Sequence, residues 1–223
     1  MSKLLPRDPL LREQIIGLLL LLVGLTSFAV IAYQVVQQNA LVLLDLQLTR
    51  WFEARGTPEV TRWMMVFTDL HGTLGVMALS GLLAIWLMWQ RAWHWLWTLL
   101  LCVGGGKLLN VGLKYLFQRP RPEFEDPLVF LTTYSFPSGH TIGATLFYGF
   151  LTFYLWRRFP SWLGRSLLLL LSSLLVAWVG LSRIYLGAHY LSDVIAAVSL
   201  GLAWLALVFI AEAYWRQRQQ PLG

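Results

Sequence analysis

The sequence predicts an all-α, polytopic membrane protein: a bundle of six transmembrane helices with short helices lying on its outer surface. Three observations carry this. Of 223 residues, 57% are hydrophobic and 13% charged, whereas soluble domains carry about 25% charged residues. The apolar residues fall into six runs, each near the roughly 20 residues that cross a bilayer core. The charged residues gather mainly at the ends of those runs. With a mean hydropathy of +0.62, the chain is not an ordinary soluble globule, a disordered tail or a fibrous repeat. One domain is expected over 1–223.

The first run, Ile15–Val36, follows Lys3, Arg7 and Arg12. That flank is like a secretory signal, but the apolar stretch is too long and no A-x-A cleavage site follows, so it reads as a retained helix. The segment Leu41–His71 is too charged to cross. Within it, Thr57-Pro58-Glu59 reads as an N-cap, a first-turn proline and an acid favoured by the helix dipole. Trp51, Phe52, Trp63, Met64 and Phe67 mark these helices as interfacial. They form a structural cover, with a partly buried lid as the alternative. The remaining runs are Gly72–Trp89, Trp95–Phe117, Gly139–Trp156, Ser166–Leu181 and Leu191–Tyr214, the second and fifth of the six being shortest.

Six crossings put both termini on one side. If that side is cytoplasmic it holds nine Lys and Arg residues against seven outside. Four of the seven, Lys114, Arg119, Arg121 and Arg183, cluster near two loops; setting them aside leaves Arg50, Arg55 and Arg62, and the positive-inside bias emerges. Trp86, Trp89, Trp93, Trp95, Trp156, Trp162 and Trp215 fall at the same boundary, where an indole buries its ring and keeps its N–H wet. The net charge of +6 and pI near 9.8 therefore reflect orientation. No basic stripe with interleaved aromatics exists to bind nucleic acid. The single cysteine, Cys102, can form neither an internal disulfide nor a cysteine-clustered metal site.

Three segments break the apolar pattern with expensive residues: Lys114 to Pro122, Phe136 to His140, and Ser182-Arg183 followed by His189 and Asp193. With six crossings, all three fall on the same face of the membrane. Lys114, Arg121 and Arg183 are cations beside hydrocarbon with few acids at helical spacing, and a bound anion is the natural compensation. Arginine forks match tetrahedral oxyanions, and lysine adds a point charge. Pro137-Ser138-Gly139-His140 opens a helix whose first amides and dipole favour an anion. Gly139 permits close backbone approach, and the Ser138 hydroxyl can donate. Together these form a phosphate cradle.

His189 and Asp193 stand at i and i+4 and share a helical face. An acid on one imidazole nitrogen fixes the tautomer and leaves the other as a lone-pair donor, as a histidine nucleophile requires. His140, from another helix, can protonate the leaving oxygen. The two histidines with Asp193 could instead hold a metal, but the surrounding cations would repel it. Each segment alone has an ordinary reading as a helix contact, an interfacial turn or a cap; their coincidence at one face does not.

Lys-x6-Arg-Pro, Pro-Ser-Gly-His and Ser-Arg-x5-His-x3-Asp are the three signatures of the type 2 phosphatidic acid phosphatase (PAP2) superfamily, which this chain resembles. It carries them as Lys114 to Arg121-Pro122, Pro137–His140 and Ser182-Arg183 to His189 and Asp193, with no departure at any motif position. The motif-bearing core is about 107–200. The resemblance implies a metal-independent, cofactor-free lipid phosphatase of the bacterial inner or plasma membrane, with its site facing outward. It implies His189 as a nucleophile forming a phosphohistidine, Asp193 as its orienting base and His140 as general acid. Lys114, Arg121, Arg183, Ser138 and Gly139 would hold phosphate. The compact size is similar to bacterial members acting on undecaprenyl diphosphate and phosphatidylglycerophosphate; phosphatidic acid is a further candidate. A lipid phosphotransferase would share the same first half-reaction, and a transporter or scaffold without turnover is the reading from a different class. Oligomeric state is not encoded in any motif.

Other residues stay open. Arg119 is an accessory candidate, touching phosphate or a headgroup. Glu123, Glu125 and Asp126 could balance the cations when the site is empty. Tyr185 packs near His189. Lys107, beside Gly104-Gly105-Gly106, is a lysine inside a span and so a functional candidate, with snorkelling or pairing as alternatives. His71 and His94 read as interfacial.

Overall fold

The computed structural model describes residues 9–124, 128–129 and 131–219. It is built from helices α1 (Pro9–Val36), α2 (Ala40–Glu53), α3 (Pro58–Leu70), α4 (Thr73–Trp89), α5 (Trp93–Leu100), α6 (Gly106–Phe117), α7 (Gly139–Trp156), α8 (Trp162–Tyr185) and α9 (Leu191–Gln219). A π turn at Leu101–Gly105 joins α5 to α6 where the glycine run removes side chains. Trp204 of α9 fills that space: a Cβ on Gly105 would lie 2.5 Å from its ring. Its indole donates to the Leu101 carbonyl at 3.1 Å, adding a partner inside the widened turn.

α7 is the axis of the bundle, packed by α4, α6, α8 and α9. Its Ile142, Leu146, Phe150 and Tyr154 recur at four-residue spacing and are buried with Val76, Leu87, Leu99 and Leu205, one apolar stripe of a 3.6-residue period. α1 lies along α9, and Gly24 sets their separation: a Cβ there would meet the Ser199 carbonyl oxygen at 2.7 Å and the Ala203 Cβ at 3.0 Å. Small residues at such crossings let backbones approach without a water-driven hydrophobic force.

Leu11–Val36, Trp93–Phe117, Trp162–Tyr185 and Leu191–Arg218 are long and apolar enough to cross a membrane, and α3 with α4, bent by 45° between them, makes a fifth. α7 is not in this set. It carries His140, Thr141, Thr145 and Thr152, and its neighbours are helices on most sides, so it faces little lipid. Leu18, Leu19, Leu22 and Val23 of α1 and Leu169, Leu170, Leu171 and Leu174 of α8 are exposed. Contiguous apolar surface of that extent suits lipid, and the chain is a multi-pass membrane protein.

The boundaries follow local chemistry. α8 starts earlier than Ser166 because Ser161 caps it, accepting from the Gly164 N–H at 3.1 Å, and it runs past Leu181 into the polar end of the bundle. Thr57 caps α3 by accepting from the Val60 N–H at 3.4 Å, with Pro58 in the first turn. α2 and α3 are more than a cover, since Asp45, Thr49, Met64 and Thr68 are buried. His71 is not interfacial: it is buried, between the Phe67 carbonyl at 2.9 Å and the Tyr148 hydroxyl at 2.7 Å. His94 is half-buried on Glu212 at 2.8 Å.

At that far end Glu13 and Glu212 meet Arg157 and Arg216: Arg157 lies 3.0 Å and Arg216 2.8 Å from Glu13, and Arg216 2.7 Å from Glu212. This cluster ties α1, α7 and α9 together. Replacing Gly24 by Ala should lower the melting temperature in detergent, because overpacking costs about 1–3 kcal/mol. Gly81→Ala, where a Cβ meets nothing within 4 Å, should leave it unchanged or raise it.

Candidate active site

The turn between α8 and α9 places His189. Gly187 adopts φ +65°, its N–H bonds the Ile184 carbonyl, and the Ala188 N–H bonds the Arg183 carbonyl, both at 3.0 Å. These are the two bonds of a Schellman cap. The His189 N–H reaches the Arg183 carbonyl too, at 3.2 Å, so the histidine is folded back over the residue that supplies the site's Arg183. A Cβ at Gly187 would also strike the Phe124 ring at 2.7 Å.

Asp193 sits in the first turn of α9 and accepts from the Tyr190 N–H at 2.9 Å, the reach-back of a capping box. Its Oδ2 lies 3.4 Å from His189 Nδ1 and accepts from the Ser135 hydroxyl, which is itself 3.3 Å from Nδ1. The other nitrogen, Nε2, faces Arg121 at 3.3 Å. One side of the ring is therefore fixed and the other turned to a cation. Burial pushes the His189 pKa down to about 3, against the raising influence of Asp193; the imidazole is neutral and its Nε2 lone pair points at the Arg121 guanidinium.

Arg121 is held by the Thr133 carbonyl at 2.7 Å, the Ala188 carbonyl at 2.6 Å and the Thr133 hydroxyl at 3.0 Å. Burial lowers its pKa, with Asp193 working the other way. Lys114 donates to the Tyr134 carbonyl and to the Ser135 carbonyl at 3.4 Å. Arg183 donates to the Thr68 hydroxyl at 3.0 Å, while its buried Nε has no hydrogen-bond partner among the described residues. The Ser138 hydroxyl lies 3.0 Å from that of Thr141 and caps α7 by accepting from the Thr141 N–H. The Ser138 N–H donates to the Asp193 carbonyl at 3.1 Å, joining the second segment to the third. Gly139 and His140 are half-buried at the start of α7. His140 feels Arg183, His189, Lys107 and Arg121 electrostatically, and a Cβ on Gly72 would lie 3.2 Å from its Nε2. Among the described residues no group of three His, Cys, Asp or Glu side chains is placed to hold a metal.

Arg119 goes elsewhere than to a phosphate or headgroup. Its guanidinium pairs with Asp193 at 2.6 Å and Asp45 at 2.9 Å, lies over the Tyr190 ring at 4.2 Å, and is buried. Burial opposes its charge, but Asp193 and Asp45 hold its pKa above the ordinary arginine value. Lys107 reaches the Gly139 carbonyl at 2.9 Å, so it pairs inside the bundle beside the second segment. Tyr185 joins α8 to α3, its hydroxyl accepting from the Thr57 N–H at 3.1 Å. Glu123 is exposed; Glu125 and Asp126 lie outside the described residues. Sequence reasoning missed Asp45, Thr68, Ser135 and Ser192. A signal existed for Asp45, the lone acid in Leu41–Leu48.

A family model, the PAP2 superfamily, matches residues 95–217. The chain belongs to the PAP2 superfamily. All three motif segments fall within that match. Phosphatidylglycerophosphatase B of Bacillus subtilis (strain 168) is 30% identical over 188 residues, 83% of this chain and 92% of the relative. A crystal structure of a transmembrane PAP2 type phosphatidylglycerolphosphate phosphatase from Bacillus subtilis superposes with a TM-score of 0.74 at 26% identity, covering 93% of this chain and 98% of that one. Aquifex aeolicus LpxE superposes at 0.58 and 25% identity, over 74% and 94% of the two chains. The PAP2 match leaves out α1 to α4, which supply Asp45 and Thr68 to the site.

Two measurements check this geometry. Gly187→Ala puts a side chain at positive φ, which costs about 1–2 kcal/mol, and against Phe124; it should lower both melting temperature and turnover. Because the folded His189 pKa of about 3 lies below the unfolded value near 6.5, protonation works against the fold. Its contribution is fully present above about pH 6.5 and is lost as pH falls toward 3. His189→Gln should therefore flatten the fall in melting temperature across that window.

Proposed function

We propose that the protein is a lipid phosphatase of the bacterial inner or plasma membrane that crosses it six times, with α7 as the sixth span, cytoplasmic termini and an outward-facing site. It removes the terminal phosphate of a lipid phosphate through a phosphohistidine. The observation that carries this reading is His189, with Nδ1 against Asp193 and Ser135 and Nε2 toward Arg121.

Phosphate would sit among Lys114, Arg121 and Arg183, near the amide end of α7 at Gly139. Nε2 of His189 attacks phosphorus, a P–N bond forms, and the P–O bond to the lipid breaks. His140 gives its proton to the departing oxygen, completing a lipid alcohol. In the second step His140 takes a proton from water, whose oxygen attacks the phosphohistidine and releases inorganic phosphate and His189. Asp193 orients the ring and steadies the charge that develops on it. The cations oppose charge on the equatorial oxygens without any metal. The relatives named for phosphatidylglycerophosphate support that lipid as substrate, ahead of undecaprenyl diphosphate and phosphatidic acid.

The test is phosphate release by purified protein in detergent, on those three lipids side by side. Turnover should be fastest on phosphatidylglycerophosphate and unaffected by chelator. His189→Ala should abolish it and His140→Ala should lower it by about 10²–10⁴-fold. Substantial turnover by His189→Ala would reject the nucleophile, and loss with chelator would reject metal independence.

A further inference from the structure

Asp45 lies in α2, outside the three motifs and outside the residues that the family model matches. It is fully buried in a helix that is otherwise apolar around it. Its Oδ1 accepts from the Ser192 N–H at 2.9 Å. Its Oδ2 accepts from Arg119 at 2.9 Å and from the Ser192 hydroxyl. Arg119 in turn donates to Asp193 Oδ1 at 2.6 Å and to the Ser192 hydroxyl at 2.7 Å. The two carboxylates thus share one guanidinium, and the serine hydroxyl links that guanidinium to Asp45. A helix that merely covered the site would have no use for a carboxyl side chain at this depth.

We propose that Asp45 is a positioning residue for phosphoryl transfer: through Arg119 and Ser192 it fixes the Asp193 carboxylate, and so the direction of His189 Nε2. This rests on His189 being the nucleophile. Asp193 is pinned from both oxygens, Oδ1 by Arg119 and Oδ2 by Tyr190, Ser135 and His189. Without Asp45, one arm of the Arg119 fork loses its carboxylate and the guanidinium can swing about Asp193, turning it against the imidazole. None of the hydrogen bonds of Asp45 goes to Lys114, Arg121 or Arg183, so phosphate binding is left alone. A purely structural role, capping the start of α9 through the Ser192 N–H, would instead lower thermal stability and leave turnover per folded molecule intact.

The experiment uses the full chain in detergent, with whichever of the three lipids the unmodified protein turns over fastest. Asp45→Asn should lower kcat on the order of 10–100-fold, the scale of a small misplacement at a reacting centre, with KM essentially unchanged. The double variant Asp45→Asn/Asp193→Asn should be no slower than Asp193→Asn alone, because residues acting through one another do not add. If Asp45→Asn does not fold, Ser192→Ala, which removes only the hydroxyl between the partners, is carried through the same cycle. Unchanged kcat in a folded variant, or losses that multiply in the double variant, would overturn the proposal. His189→Ala run alongside separates the two readings. Turnover there rejects the nucleophile, whereas an inert His189→Ala beside a fully active Asp45→Asn rejects the role of Asp45 alone.

Discussion

Charge placed among helices in a bilayer has to find opposite charge nearby, and at this site that requirement orders everything else. Arg119 is held between Asp45 and Asp193, so both buried carboxylates are engaged. The hydrogen bonds of Lys114, Arg121 and Arg183 go instead to backbone carbonyls, threonine hydroxyls and His189 Nε2. Negative charge is thus locked away behind His189, and positive charge is left in front of it. That division keeps the acid on the imidazole from pairing with those cations.

The fold makes this division possible by bringing distant segments to one end of the bundle. α6 carries Lys114 in its last turn, α7 begins at Gly139, and the end of α8, the turn after it and the start of α9 carry Arg183, His189 and Asp193. Backbone bonds weld these pieces together, Ser138 to Asp193 and Ser135 to Arg119. At the other end Glu13, Arg157, Glu212 and Arg216 form a second compensated cluster, which holds α1, α7 and α9 in register. The helices between are tuned for close approach, with Gly24 of α1 against α9 and Gly105 under Trp204.

Much of this was legible in the sequence because it rests on local physics. Hydrophobic runs located the helical segments, and caps such as Thr57 and Ser138 set where α3 and α7 begin; His189 and Asp193 do meet, but from the turn before α9 and its first turn rather than along one helical face. What could not be read is what depends on partners far along the chain. Arg119 looked like one more phosphate ligand until Asp45, 74 residues earlier, claimed its second arm. The longer α8 is a consequence of the cap at Ser161 and of its far end entering a polar site, where hydropathy no longer marks the helix. α7 is the reverse case: a helix wrapped by others needs less apolar surface than one facing lipid.

The central claim is that His189 carries the phosphoryl group, and trapping that group tests it most directly. Lipid labelled with ³²P in its terminal phosphate would be mixed with enzyme and quenched in alkali within one turnover, and the labelled peptide mapped by mass spectrometry. Label on His189, stable to base and lost in acid as a phosphoramidate is, would be the predicted result. Label on another residue, or none at any quench time while phosphate is released, would contradict the account.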